Sequence, residues 1–199
     1  MTDNHQAFLT ALTTEHFVLQ AAATAAVSEA GTRASLYILS LSSALVALGF
    51  ASQSRDVFLP FIATVLPALV LLGLFTVVRL VDAAIEYNEC LNGIARIRGY
   101  YRTLTPEADV YFSPQTGRWP EKTAIPTLRL DPSISFITTI ASLVAFINSI
   151  VAGAGVALLA GTRLGPERTS LAVGFGIATA IVIMAIFFAY QRWRYYSTQ

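Results

Sequence analysis

The sequence predicts an all-α integral membrane protein with four transmembrane helices, an N-terminal cytoplasmic helix and a long cytoplasmic extension of the second span. Composition is the first reason, because 55% of the 199 residues are hydrophobic and only 13% are charged, whereas about 25% are charged in soluble domains. Four apolar runs are the second reason, since each is close to or above the roughly 18 residues that cross about 30 Å of hydrocarbon as a helix. The runs cover residues 34–51, 58–81, 133–160 and 169–190.

The segment before the first run, residues 1–33, is predicted to form a cytoplasmic helix. One face of it repeats at three- and four-residue spacing, which is typical of a helix that packs on another helix. Because the polar face lacks Lys and Arg, we favour this interpretation over an amphipathic helix lying on the bilayer. Gly31 is expected to permit a bend into the membrane. The repeating face consists of Leu9, Leu12, His16, Leu19, Ala23 and Ala26.

Residues 34–82 are predicted to form the first transmembrane hairpin, turning through "SQSRDV", and residues 83–132 a cytoplasmic helix followed by a proline-rich loop. The cytoplasmic helix carries an apolar stripe that suits it as the partner of the N-terminal helix. Because proline fixes φ and removes a backbone donor, this helix is expected to end near Thr105. The stripe contains Ala84, Tyr87, Leu91, Ile94 and Tyr101, and the prolines are Pro106, Pro114, Pro120, Pro126 and Pro132.

The second transmembrane hairpin is assigned to residues 133–190, turning through "TRLGPER", and residues 191–199 to an interfacial tail around Trp193. Lys and Arg resist translocation, and ten of the thirteen fall on the side of the termini and the central segment. Both termini are therefore expected on the cytoplasmic side of a bacterial cytoplasmic (inner) membrane. The first residues lack a basic n-region, so a cleaved signal peptide is not expected.

Small residues recur every four positions in the third span, and a shorter series occurs in the fourth. In lipid, small residues let helix backbones approach closely, and close packing stabilises helix association. We assign the series to packing between these two spans; the alternative is an additional contact between subunits or the wall of a pore. The residues are Ala145, Ser149, Gly153, Ala157 and Gly161 in the third span and Ala172, Gly176 and Ala180 in the fourth.

Polar residues in and next to the spans are candidates for a pore or its vestibule. Asn148 lies deep in the third span, where an unsatisfied amide is costly, so its side chain is expected to face a neighbouring helix or a polar pathway. Asp82, Glu86 and Glu89 share one helix face after the second span. In a ring of subunits they would concentrate cations at a mouth; the alternative is an ordinary solvated face. Pro67, inside the second span, is a candidate hinge.

The residue patterns of catalytic and metal sites do not occur in the sequence. His5 and His16 are eleven positions apart, too far for a paired metal site on one helix, and no H-E-x-x-H, C-x-x-C, G-x-S-x-G or phosphate loop is present. No catalytic residues, metal ligands or cofactor are predicted, and we do not expect an enzyme. The net charge of +1 gives no indication of nucleic-acid binding. Cys90 is expected to be a reduced structural thiol.

The stretches "TEHFVLQAAATAAVSEAGTRASLYILSLSSALVAL" and "RLVDAAIEYNECLNGIARIRGYY" carry a resemblance to known families. The chain resembles uncharacterised bacterial four-span membrane proteins with an N-terminal helix, a likeness that covers most of its length and implies no activity. Residues 1–104 are similar in layout to the two-span effector domains of bacterial second-messenger defence systems, which implies pore formation. The chain departs from those domains in having two further spans and no nucleotide-sensing segment.

These features together predict an oligomeric channel or pore-like protein, permeable to cations and gated through the cytoplasmic helices. Its expected partners are the lipid bilayer and further copies of the chain in a homo-oligomer. The alternative is a non-conducting membrane scaffold that recruits a cytoplasmic protein partner through residues 83–132. Proton-driven transport is disfavoured because no charged residue lies near the middle of a span.

Overall fold

The computed structural model describes residues 2–112 and 138–196, and the regular secondary structure of these residues is entirely helical. Four of the helices are long and apolar enough to cross a membrane, so the prediction of an all-α chain with four candidate spans is confirmed. The helices are α1 (Thr2–Ala51), α2 (Arg55–Arg102), α3 (Ala108–Tyr111), α4 (Ile140–Leu164) and α5 (Thr169–Tyr196), with a 3₁₀ turn at Pro166–Arg168.

Gly31, where the sequence allows a bend, lies inside the first helix. The helix α1 continues through this residue, and Gly31 does not take the positive φ of a helix-ending glycine. Glycine permits a bend but does not impose one. Its cost of about 1 kcal/mol within a helix is small against the hydrogen bonds that continue on both sides.

The chain divides into two compact units. The extension unit comprises residues 1–30 and 82–133, and the span unit comprises residues 31–81 and 134–199. Helices α1 and α2 each contribute to both units. Of the predicted segments, residues 113–132 of the proline-rich loop, residues 133–137 of the third span and residues 197–199 of the tail lie outside the described residues.

Local signals set the ends of α4. The Thr139 hydroxyl accepts a hydrogen bond from the Ser142 N–H at 3.2 Å, so Thr139 is the N-cap and the helix begins at Ile140. At the other end, Gly165 adopts a φ of 80° and its N–H donates to the Gly161 carbonyl. A left-handed glycine followed by proline is a strong helix stop, so α4 extends to Leu164, beyond the predicted end at residue 160.

In the extension unit, the N-terminal part of α1 packs on the C-terminal part of α2. The Phe8 and Tyr100 rings meet edge to face with centroids 5.3 Å apart, and Leu19 lies directly over Gly93. Since the residue number falls along α2 as it rises along α1, the two segments are antiparallel. This is the pairing that the two apolar stripes predict.

Candidate functional site

Asn148 joins three helices of the span unit. Its side chain is 6% exposed; its Oδ1 accepts a hydrogen bond from the Tyr37 hydroxyl of α1 at 3.2 Å, and its Nδ2 donates to the Val70 carbonyl of α2 at 3.3 Å. Both ends of the amide are therefore satisfied within one chain. We name Tyr37, Val70, Gly73 and Asn148 the Asn148 junction.

Gly73 makes the space that this amide occupies. A Cβ atom at position 73 would overlap the Asn148 side chain, so any larger residue would displace it. Neither Gly73 nor Tyr37 is among the site residues that the sequence predicts, although each carries a signal. Gly73 is the single glycine in the second apolar run, where glycine weakens a helix unless it serves packing, and Tyr37 is the single tyrosine in the first, where its hydroxyl needs a partner.

The small residues of α4 and α5 form a direct backbone contact. A Cβ on Gly153 would lie 2.5 Å from the Gly176 carbonyl oxygen and 3.1 Å from the Ala180 Cβ, and a Cβ on Gly176 would lie 2.8 Å from the Ala157 Cβ. Only glycine allows this approach. Further along, the contact loosens, since a Cβ on Gly161 would be 3.9 Å from the Ala172 Cβ. The remaining members of the series, Ala145 and Ser149, are 4% and 2% exposed.

A second buried polar cluster links the beginning of α4 to the end of α5. Gln191 is 1% exposed. Its Oε1 accepts a hydrogen bond from the Ser142 hydroxyl at 3.5 Å, and its Nε2 donates to the Thr139 hydroxyl at 3.4 Å. The sequence predicts Gln191 to lie in the interfacial tail, because one glutamine beside Arg192 and Trp193 gives no sign of burial.

The acidic row, defined as Asp82, Glu86 and Glu89, lies on α2 in the extension unit. Glu86 and Glu89 are exposed and form no ion pair within the described residues. Asp82 is half-buried and engaged with another group. The row is thus accessible in a single chain at two of its three positions.

No family model, curated protein or solved structure matches this chain. Function must therefore be inferred from the residues themselves. Within the described parts of the chain, no three His, Cys, Asp or Glu side chains come close enough to hold a metal ion.

An open groove of about 920 Å³ runs along the extension unit. Its walls come from one face of α1 and one face of α2, and Phe17 at its edge is 63% exposed. An open groove along two helices can accept a helix or an extended segment. The apolar walls include Phe17, Ala21, Val27, Tyr87, Leu91 and Ile94.

Pro67 lies within the continuous helix α2 and is exposed. Proline leaves the carbonyl four residues earlier without its usual N–H partner, so α2 is locally weaker at this point. Its role as a hinge stays a prediction.

Proposed function

We propose that the chain is a subunit of a homo-oligomeric channel in a bacterial inner membrane, with both termini in the cytoplasm. The observation that carries the proposal is the acidic row. Its exposed carboxylates stand on the helix that continues directly from the second apolar run. Repeated around an axis, such carboxylates raise the local cation concentration at the mouth of a pore.

The proposed conducting path runs between the subunits of the homo-oligomer. Inside one chain, Asn148 is hydrogen-bonded to Tyr37 and to the Val70 carbonyl, and Ser40, Ser42 and Ser43 donate to carbonyls four residues earlier in α1. The Asn148 amide, which is hydrogen-bonded at both ends, is therefore not available to a passing ion. Asn148 would join the path only if its bond to Tyr37 broke on opening.

Gating through the extension unit follows from the continuity of α2. The same helix carries the second apolar run and the residues that pack against α1 in the extension unit. A change in the packing of that unit would therefore move the acidic row and the adjacent span. The local weakness at Pro67 is a natural place for the movement to be absorbed.

The experiment is cation selectivity in planar bilayers or liposomes. Glu86→Gln with Glu89→Gln should shift the reversal potential in a salt gradient towards that of a non-selective pore, and the shift should be larger at low salt because screening is weaker. The matched control, Glu15→Gln with Glu107→Gln, removes the same charge from exposed positions outside the row. A reversal potential unchanged by the first pair would remove the acidic row from the mouth.

The second candidate function is a non-conducting scaffold, and the open groove favours it. The groove combines apolar walls with Gln20, Thr24, Ser28 and Arg98, and an exposed groove of this kind on a helix pair can bind an amphipathic helix from another protein. A photo-crosslinker at Phe17 separates the two functions. Crosslinks between copies of the chain favour the oligomer, whereas crosslinks to one cytoplasmic protein, together with absence of flux at all voltages, favour the scaffold.

A further inference from the structure

An apolar cleft of about 280 Å³ opens between α1, α2 and α4 in the span unit, and every side chain that lines it is apolar. The cleft starts beside the Asn148 junction, since Leu69 and Ile147 line it and directly precede Val70 and Asn148. From there it extends towards the turn that joins α1 to α2. The other lining residues include Leu41, Leu48, Phe61, Val65, Ala154 and Leu158.

The cleft has a floor and an open side. Ile62 and Leu69 are only 4% and 7% exposed and form the floor, whereas Leu45 and Ile150 are 57% and 50% exposed and lie at its edge. The open side is therefore continuous with the outward-facing apolar surface of the candidate spans. In a bilayer, acyl chains cover that surface.

The length of the cleft along the helices matches the thickness of one leaflet. Lining residues run from position 41 to 48 in α1, from 61 to 69 in α2 and from 147 to 158 in α4, which corresponds to about 10, 12 and 16 Å along the helices. One leaflet contributes about 15 Å of a hydrocarbon core that is about 30 Å thick. A single side chain of another subunit would not fill such a length, and a whole helix would not fit the volume.

We propose that this cleft binds one acyl chain of a phospholipid from the leaflet on the side of the Ser52–Ser54 turn. Water is disfavoured because no polar group lines the cleft, and an unfilled space would leave the lining atoms without contact partners. No charged residue lines the cleft, so the headgroup stays at the membrane surface near the turn. This inference goes beyond the proposed function and does not depend on conduction.

Two alanines give the cleft its width and provide the test. Ala154→Phe should fill the cleft from α4 and Ala44→Leu should fill it from α1. Ala63→Phe is the matched control, because Ala63 is exposed in α2 and does not line the cleft. The purified chain is exchanged into a steroid-based detergent without a linear alkyl chain, supplied with palmitoyl-oleoyl-phosphatidylglycerol or with free palmitate, and examined by native mass spectrometry.

We expect the wild-type chain and Ala63→Phe to retain a single phospholipid. In the filling variants, a few CH₂ groups of the acyl chain are excluded from the cleft and no longer contribute to binding. The occupancy of the phospholipid should therefore fall about tenfold or more. Equal retention in a folded filling variant overturns the proposal, as does preferential retention of palmitate or an empty, folded wild-type chain. Far-UV circular dichroism monitors folding, and Ala44→Leu decides the matter if Ala154→Phe does not fold.

Discussion

Replacing Gly153 by alanine tests the backbone contact between α4 and α5. The new Cβ would lie 2.5 Å from the Gly176 carbonyl oxygen and 3.1 Å from the Ala180 Cβ. Both atoms belong to rigid groups, so the helices must separate to accommodate it. Gly153→Ala should therefore destabilise the hairpin, although alanine is the better helix former.

The magnitude follows from two opposing effects. Overpacking against rigid groups costs about 1–3 kcal/mol, and the change from glycine to alanine within a helix stabilises by up to about 1 kcal/mol. Gly161→Ala is the matched control, because its Cβ would meet the Ala172 Cβ at 3.9 Å, an ordinary contact. The two variants should therefore differ in unfolding free energy by about 1–3 kcal/mol, with Gly153→Ala the less stable.

The assay is reversible unfolding by sodium dodecyl sulfate in mixed micelles, followed by far-UV circular dichroism. Gly174→Ala is a second control, since its Cβ would meet no atom within 4 Å. If Gly153→Ala proved as stable as Gly161→Ala, the close approach of α4 and α5 would be wrong. The assignment of the small-residue series to packing between these helices would then have to be abandoned.

Three further predictions concern other contacts. Tyr37→Phe and Asn148→Leu should each destabilise the span unit, with a double-mutant coupling of about 0.6–1.7 kcal/mol, the scale of interhelical hydrogen bonds in membranes; zero coupling in the same assay would contradict the bond. Gly93→Leu should loosen the extension unit, because even a Cβ there lies 2.8 Å from a leucine methyl of α1, whereas a Cβ at Gly99 meets no atom within 4 Å, which makes Gly99→Leu the control. Equal hydrogen exchange over residues 2–30 in the two variants would refute this. Burial raises the pKa of the Cys90 thiol, and the negative charges of Glu86 and Glu89 raise it further. A smaller fraction of the thiol is therefore present as thiolate at a given pH. Alkylation by iodoacetamide should therefore need a higher pH than for an exposed reference cysteine, and identical pH profiles would exclude the effect.

The four candidate spans and the repeating face of α1 could be predicted because their signals are local. A run of apolar residues identifies a candidate span whatever its neighbours are. The same is true of the repeating face of α1. The three- and four-residue spacing of Leu19, Ala23 and Ala26 identifies a buried face, and these residues are indeed less exposed than those around them.

The partners within the span unit could not be predicted, because they depend on which helices meet. The sequence indicates that Asn148 needs a neighbour, but not that the neighbours are Tyr37 and the Val70 carbonyl. Those residues are far away in the chain, and only tertiary packing brings them together. The burial of Gln191 has the same origin, since its partners lie at the beginning of α4.

Helix α4 is held to its neighbours by two different kinds of contact. Towards α5 it presents Gly153, where the missing side chain allows backbone contact. Towards α1 and α2 it presents the Asn148 amide and, beyond it, the apolar cleft. Hydrogen bonds can break and re-form with other partners, whereas a glycine contact fits only one register. Movement within the span unit should therefore take place between α4 and the first hairpin, with α4 and α5 moving together.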